Sequence, residues 1–252
     1  MQEFYVGHLP SIPPGIRRRV RAMVIAIAVL AIAGAALFAA SQQQFAQSYF
    51  DFGKPKEFSG TLSLHPFPSL VPDNPSSRDA VEMPPYLLAA PGKFGADSLV
   101  AGFDAKHVRL RGTLIHRQEG RMIEIEPSSI SPTGDLPIQV QVNDEQDLGE
   151  KTLTGEIVDT KCFLGVMNPG EGKVHRDCAA RCLSGGIPPA LATTDLDGSR
   201  RLILLLGEDG KPLLKADFLQ RVGQPVSVHG RVSKSQGLFY LRTRAPNIVP
   251  LP

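Results

Sequence analysis

The chain has 252 residues, with 27 Lys and Arg against 25 Asp and Glu; a net charge of +2 excludes the strongly basic surface of a nucleic-acid-binding protein. Trp is absent and aromatic residues are few, while 22 Pro and 24 Gly favour turns and short strands over long helices. The expected class is therefore mainly β outside one N-terminal segment.

That segment, Ala22 to Ala40, carries no charge and is long enough to span a bilayer, since about 20 helical residues cover roughly 30 Å. Arg17, Arg18, Arg19 and Arg21 precede it, and no basic cluster follows it closely. The positive-inside rule then places residues 1–21 in the cytoplasm, 22–40 in the membrane and residues 41–252 outside the cytoplasm. Cleavage at Ala39-Ala-Ser41 is the competing reading. The long basic stretch and the long apolar run fit an uncleaved single-pass anchor better. Gly34 among Ala31, Ala33, Ala35 and Ala36 gives the anchor a small-residue face suited to packing on other membrane helices.

After a linker over 41–56, the chain repeats a grammar. The first unit, 57–148, runs from Glu57-Phe-Ser-Gly60-Thr-Leu62 through Tyr86 to Lys93 and His107 to Leu114, and closes on Gly120 to Ile125. The second, 149–252, runs from Thr152-Leu-Thr-Gly155-Glu-Ile157 through Leu202 to Lys211 and Val226 to Val232, and closes on Gly237 to Leu241. Each has a strand containing glycine, an apolar strand ending near Gly-Lys, an alternating strand with a second glycine, and a last strand after a glycine turn. Glycine within a strand marks a bulge or a sharp barrel corner. This order of short, curved strands resembles the OB-fold family of small Greek-key barrels, which implies two such barrels in tandem. Two unrelated β-sandwich halves are the alternative.

The interval from Gly155 to Gly230 exceeds that from Gly60 to Gly112 by about the length of the stretch 159–186, so that stretch is expected to be an insertion between the first two strands of the second barrel. In the corresponding place, the first unit has the Pro-rich stretch from His65 to Pro85, expected as one irregular loop.

The insertion holds every cysteine in the chain, Cys162, Cys178 and Cys182, together with His175. On a helix, His175, Cys178 and Cys182 at i, i+3 and i+7 share one face, and Gly185-Gly-Ile-Pro-Pro189 supplies the stop. Three readings stay open. One is a disulfide from Cys162 to Cys178 or Cys182, as exported proteins allow. The second is a Cys₃His metal site for zinc or copper. The third is a redox or haem-contacting thiol, without Cys-x-x-Cys-His for covalent haem. Asp159 is placed either to orient His175 or to shape a turn. His65, His107, His116 and His229 are scattered and read as surface or rim residues, and no hydrolase, kinase or dehydrogenase fingerprint occurs.

The pattern Gly155-x-Ile-Val-Asp159-x-x-Cys162, His175-x-x-Cys178-Ala-x-x-Cys182-x-x-Gly185 and Val226-x-Val228-x-Gly230 resembles a module of small exported bacterial proteins. The opening Glu3-Phe-Tyr-Val-Gly7-x-Leu-Pro10 with its anchor resembles uncharacterised bacterial membrane-anchored proteins carrying that module. The resemblance implies export, the anchor and the barrel, and brings no activity with it. The expected role is a non-catalytic accessory subunit of a membrane complex, respiratory or redox in kind, with lipid bilayer and integral membrane or periplasmic subunits as its partners and no nucleic acid. The alternative is a periplasmic metal- or haem-handling chaperone using Cys162, His175, Cys178 and Cys182. Its architecture is similar to that of the haem chaperone of cytochrome c maturation, although the C-terminus lacks that protein's histidine motif. A membrane-tethered enzyme is the third possibility, and no acid–base or nucleophile constellation supports it.

Overall fold

The computed structural model describes residues 12–43, 48–73, 84–134, 145–213 and 215–252. The motif Glu3 to Pro10, residues 44–47 of the expected linker and residues 74–83 of the Pro-rich stretch lie outside the described residues. The chain divides into two compact units, 1–46 and 47–252.

The first unit is a helix, α1 (Pro14–Gln43), long and apolar enough to cross a membrane from Pro14 to Ser41. It extends beyond the expected 22–40 at both ends. Pro13 and Pro14 suit a helix start, where the missing N–H costs nothing, and the arginines form its first polar turns.

The second unit holds two β-barrels. The first is built from β1 (Ser48–Phe50), β2 (Lys56–Ser63), β3 (Ser69–Pro72), β4 (Tyr86–Ala89), the short helix α2 (Asp97–Val100), β5 (His107–Arg117), β6 (Gly120–Ile125) and β7 (Ser131–Pro132). The second follows as β8 (Gln146–Asp159), α3 (Arg176–Ser184), β9 (Pro189–Thr193), β10 (Arg201–Gly207), α4 (Lys215–Phe218), β11 (Pro225–Ser235), β12 (Leu238–Thr243) and β13 (Ile248–Pro250). In each, five strands close on themselves. The orders are β2-β3-β4-β6-β5 and β8-β9-β10-β12-β11, with the β4–β6 and β10–β12 pairs parallel and the rest antiparallel.

The registers repeat as well as the order. Lys56 faces Gly112 and Gly60 faces Val108 in the first barrel; Lys151 faces Gly230 and Gly155 faces Val226 in the second, with the same offset. The strand glycines have a steric reason. A Cβ on Gly60 would lie 2.1 Å from the Val71 carbonyl oxygen, and one on Gly155 would lie 2.3 Å from that of Ala192, so both corners need a bare backbone.

Two strands escape sequence reading at the same place in both barrels. The Pro-rich stretch is not one loop: β3 lies within it, with Leu70 fully buried and paired to Leu62. Prolines on both sides disguise it. β9, Pro-Ala-Leu-Ala-Thr, is buried along its whole length and so shows no alternation. The expected linker also contains β1, which pairs with β5, and the second barrel begins at Gln146.

Each barrel has its own core, one around Leu62, Leu88, Val108 and Ile123, the other around Ile157, Leu205, Val228 and Leu241. A third apolar cluster joins them: Leu87, Ile115 and Met122 from the first barrel meet Cys162, Phe163, Leu164, Cys182 and Leu204 from the second. The cysteine-bearing connection is thus a wedge between barrels.

Candidate functional site

The connection from β8 to β9 starts inside the protein. Asp159, Thr160, Lys161 and Cys162 are all buried, and a wide turn over Cys162–Val166 carries Phe163 and Leu164 onto the first barrel. Phe163 stacks against the Arg117 guanidinium at 4.4 Å, and Arg117 also donates to the Phe163 carbonyl oxygen at 3.1 Å. Glu119 holds Arg117 and Arg200 by ion pairs over the same ring. Lys161 Nζ donates to the carbonyl oxygens of Ala90 and Gly92, both at 2.7 Å, and pairs with the Glu124 carboxylate at 2.5 Å. A buried ammonium needs this full set of acceptors, and every one of them belongs to the first barrel.

The chain then turns through Lys173–His175 into α3, which ends at Gly185 as expected. Gly185 is required by close approach, because a Cβ there would lie 1.7 Å from the Lys93 carbonyl oxygen. Gly95 N donates to the Gly185 carbonyl at 3.0 Å, so the end of α3 is fastened to the turn after β4. This contact delivers Lys93, whose Nζ donates to Cys178 Sγ at 2.8 Å and lies 3.8 Å from Cys182 Sγ.

The three sulfurs lie within 4.8 Å of one another, with Cys162 and Cys182 Sγ 3.9 Å apart, and all three are unbridged thiols. Cys162 and Cys182 are buried, whereas Cys178 is half-buried. The hydrogen bond between Cys162 and Cys182 lowers the Cys182 pKa and raises that of Cys162, which burial and the nearby Asp159 carboxylate raise further. Lys93 is held above its usual pKa, chiefly by its bond to Cys178 and despite partial burial.

His175 does not join the three sulfurs in one set. It stands just before α3, and its Nε2 meets Asp159 Oδ2 at 3.0 Å, in a second group made of Asp159, Cys162 and His175. Asp159 Oδ1 accepts the Cys162 backbone N–H at 2.8 Å, so this carboxylate fixes both His175 and the start of the wide turn. The four expected residues are brought to one place as two overlapping triads that share Cys162.

Sequence reasoning missed Lys93, Lys161 and Glu124. The recurrence of Gly-Lys at Gly92-Lys93 and Gly210-Lys211 was the available signal, legible only as a strand ending. Of the scattered histidines, His107 is buried and bonded to Asp73 and Thr133, each at 2.6 Å, a structural role. A separate cleft of about 360 Å³ between the barrels is lined by His65, Lys211, Tyr240 and Arg242 among others, and by no cysteine. Burial pushes the Tyr240 phenol up to about 12 there.

Comparisons with family models, with curated proteins and with solved structures find no match to this chain.

Proposed function

We propose that this chain is a non-catalytic, membrane-anchored accessory protein that binds a thiophilic metal ion, monovalent copper before zinc, through Cys162, Cys178 and Cys182. The observation that carries the proposal is the sulfur triangle. Two thiolates about 2.3 Å from one ion stand about 3.8 Å apart at a tetrahedral angle and about 4.0 Å apart at a trigonal one. The 3.9 Å edge between Cys162 and Cys182 fits that span. Soft sulfur donors suit monovalent copper, which accepts three of them; zinc would need a fourth donor, and His175 is turned to Asp159 instead. When bound, the ion would be held as a thiolate complex whose excess negative charge Lys93 offsets.

Both barrels are OB-like in this proposal. The supporting feature is their shared strand order, in which the first strand lies between the second and fourth and the third and fifth pair in parallel. The arginines in the first turns of α1 support a cytoplasmic N-terminus, with both barrels outside the cytoplasm. The half-buried Cys178 leaves one ligand reachable by a partner, which suits transfer of the ion as well as its retention.

The test is metal content of protein purified gently from its native membrane, with co-purifying subunits identified in the same preparation. About one equivalent of copper, absent from a Cys178→Ser variant, supports the proposal. Metal-free protein that also fails to take up monovalent copper when reduced rejects it. A monomer without co-purifying subunits rejects the accessory role while leaving metal binding to be judged by the first readout.

A further inference from the structure

Access to the three thiols is graded. Cys178 is half-buried, while Cys182 is 1% exposed and Cys162 3% exposed. The three sulfurs all lie within 4.8 Å of one another, and Lys93 holds the Cys178 sulfur. A metal site needs no such difference between one reachable thiol and two buried ones, but a thiol exchange site does. From this arrangement we propose that the cluster is also a thiol–disulfide exchange site, in which Cys178 receives an external disulfide of a small or peptide thiol and the bridge comes to rest between Cys182 and Cys162.

The steps balance. The Cys178 thiolate attacks a disulfide RSSR, forming Cys178–S–S–R and releasing RS⁻. Cys182 attacks the Cys178 sulfur, expelling the second RS⁻ and forming a Cys178–Cys182 bridge. Cys162 then attacks Cys182, 3.9 Å away, and Cys178 leaves as the free thiolate. Two protein thiols are oxidised, RSSR is reduced to two RSH, and the two protein protons pass to the departing thiolates. The final bridge lies where both sulfurs are buried, at their 3.9 Å contact. Lys93 is a positioning residue that keeps the entry sulfur at the mouth of the cluster.

This inference shares residues with the metal-binding proposal and does not depend on it. The test uses the full chain in detergent, reduced and stripped of metal with a chelator, then treated with oxidised glutathione. Reaction times are sampled by thiol alkylation and peptide mass mapping. The expected result is glutathione on Cys178 first, then a Cys162–Cys182 bridge with Cys178 alkylated. In the double variant Cys162→Ser, Cys182→Ser, glutathione stays on Cys178; in Cys178→Ser, bridge formation slows by at least about tenfold. If the double variant fails to fold, the order of adducts in the native sequence still decides. Glutathione appearing first on Cys162 or Cys182, equal rates in Cys178→Ser, or no bridge in folded protein when the denatured chain forms one overturns the proposal. Because metal is absent throughout, a chain that exchanges disulfides but binds no copper keeps this inference and loses the other.

Discussion

The two barrels repeat one strand order and one register, and differ most in the connection between their first two strands. In the first barrel five residues, 64–68, make that step; in the second, residues 160–188 make it and carry all three cysteines, His175 and Lys161. A second contrast lies in the turn after the third strand. The turn closed by the Ala89–Gly95 bridge presents Lys93 to Cys178, whereas the turn closed by Leu206–Pro212 leaves Lys211 in solvent. The first barrel thus supplies the cation and the second the sulfurs. Duplication of a small barrel provides a rigid platform twice, and one long connection wedged between the copies creates a buried site that neither copy holds alone.

The sharpest way to break that division of labour is to unpin the wedge. Lys161→Ala leaves the Glu124 carboxylate and two carbonyl oxygens of the first barrel without their partner, and a loss of about 3–5 kcal/mol is expected. Denaturant unfolding of the full chain in detergent measures it; a loss below about 1 kcal/mol would show that the barrels are not joined through this ammonium. Asp159→Ala comes next. It strips the acceptor from both the Cys162 N–H and the His175 ring, at a cost of about 2–3 kcal/mol, and it loosens the Cys162 sulfur. An unchanged melting temperature together with unchanged copper affinity would remove Asp159 from the site.

The contrast between the two lysines gives a smaller effect with an internal control. Lys93→Met is expected to weaken monovalent copper binding by about 10-fold, as loss of a group bonded to a metal ligand does, while Lys211→Met leaves it unchanged. Competition with a chromogenic copper chelator reads both variants. Equal affinities would make Lys93 a structural tie and no part of the site.

How much of this could be read beforehand follows from where each signal resides. The long apolar helix α1, the paired glycines at 60 and 155 and the alternating strands β5 and β11 were visible because their pattern is local. Spacing put Cys178 and Cys182 on one helical face, and the nearness of Cys162 in the chain made its folding back to them an expectation. β9 was not, since a short strand buried on both faces has no alternation to detect, and β3 was hidden among prolines. Lys93 and Lys161 were out of reach for a different reason. Lys93 is 85 residues from Cys178 along the chain, and Lys161 is 71 from Ala90, so their roles exist only once the two barrels are packed together. His175 was expected beside the sulfurs on one helical face, and its bond to Asp159 in the preceding strand outcompetes that arrangement.

The finest distinction between the barrels lies one residue past the first strand glycine, where the first has Thr61 and the second Glu156. The Glu156 carboxylate accepts the Gly172 N–H at 2.5 Å and so braces the long connection before α3. Its pKa is raised, chiefly by burial, against the opposing effect of that hydrogen bond. A carboxyl whose folded-state pKa lies above its unfolded value binds its proton more tightly when folded. Its contribution is complete below the unfolded pKa and is lost as pH rises through the folded one. Glu156→Gln keeps an acceptor for Gly172 and cannot ionise. The variant should match the parent in acid and exceed it slightly at neutral pH, by less than about 1 kcal/mol, with a flatter stability profile between. Thermal melts across that range measure the slope. A variant less stable than the parent at neutral pH would mean that the ionised carboxylate strengthens the Gly172 bond by more than its burial costs, and that the second barrel keeps Glu156 for its charge.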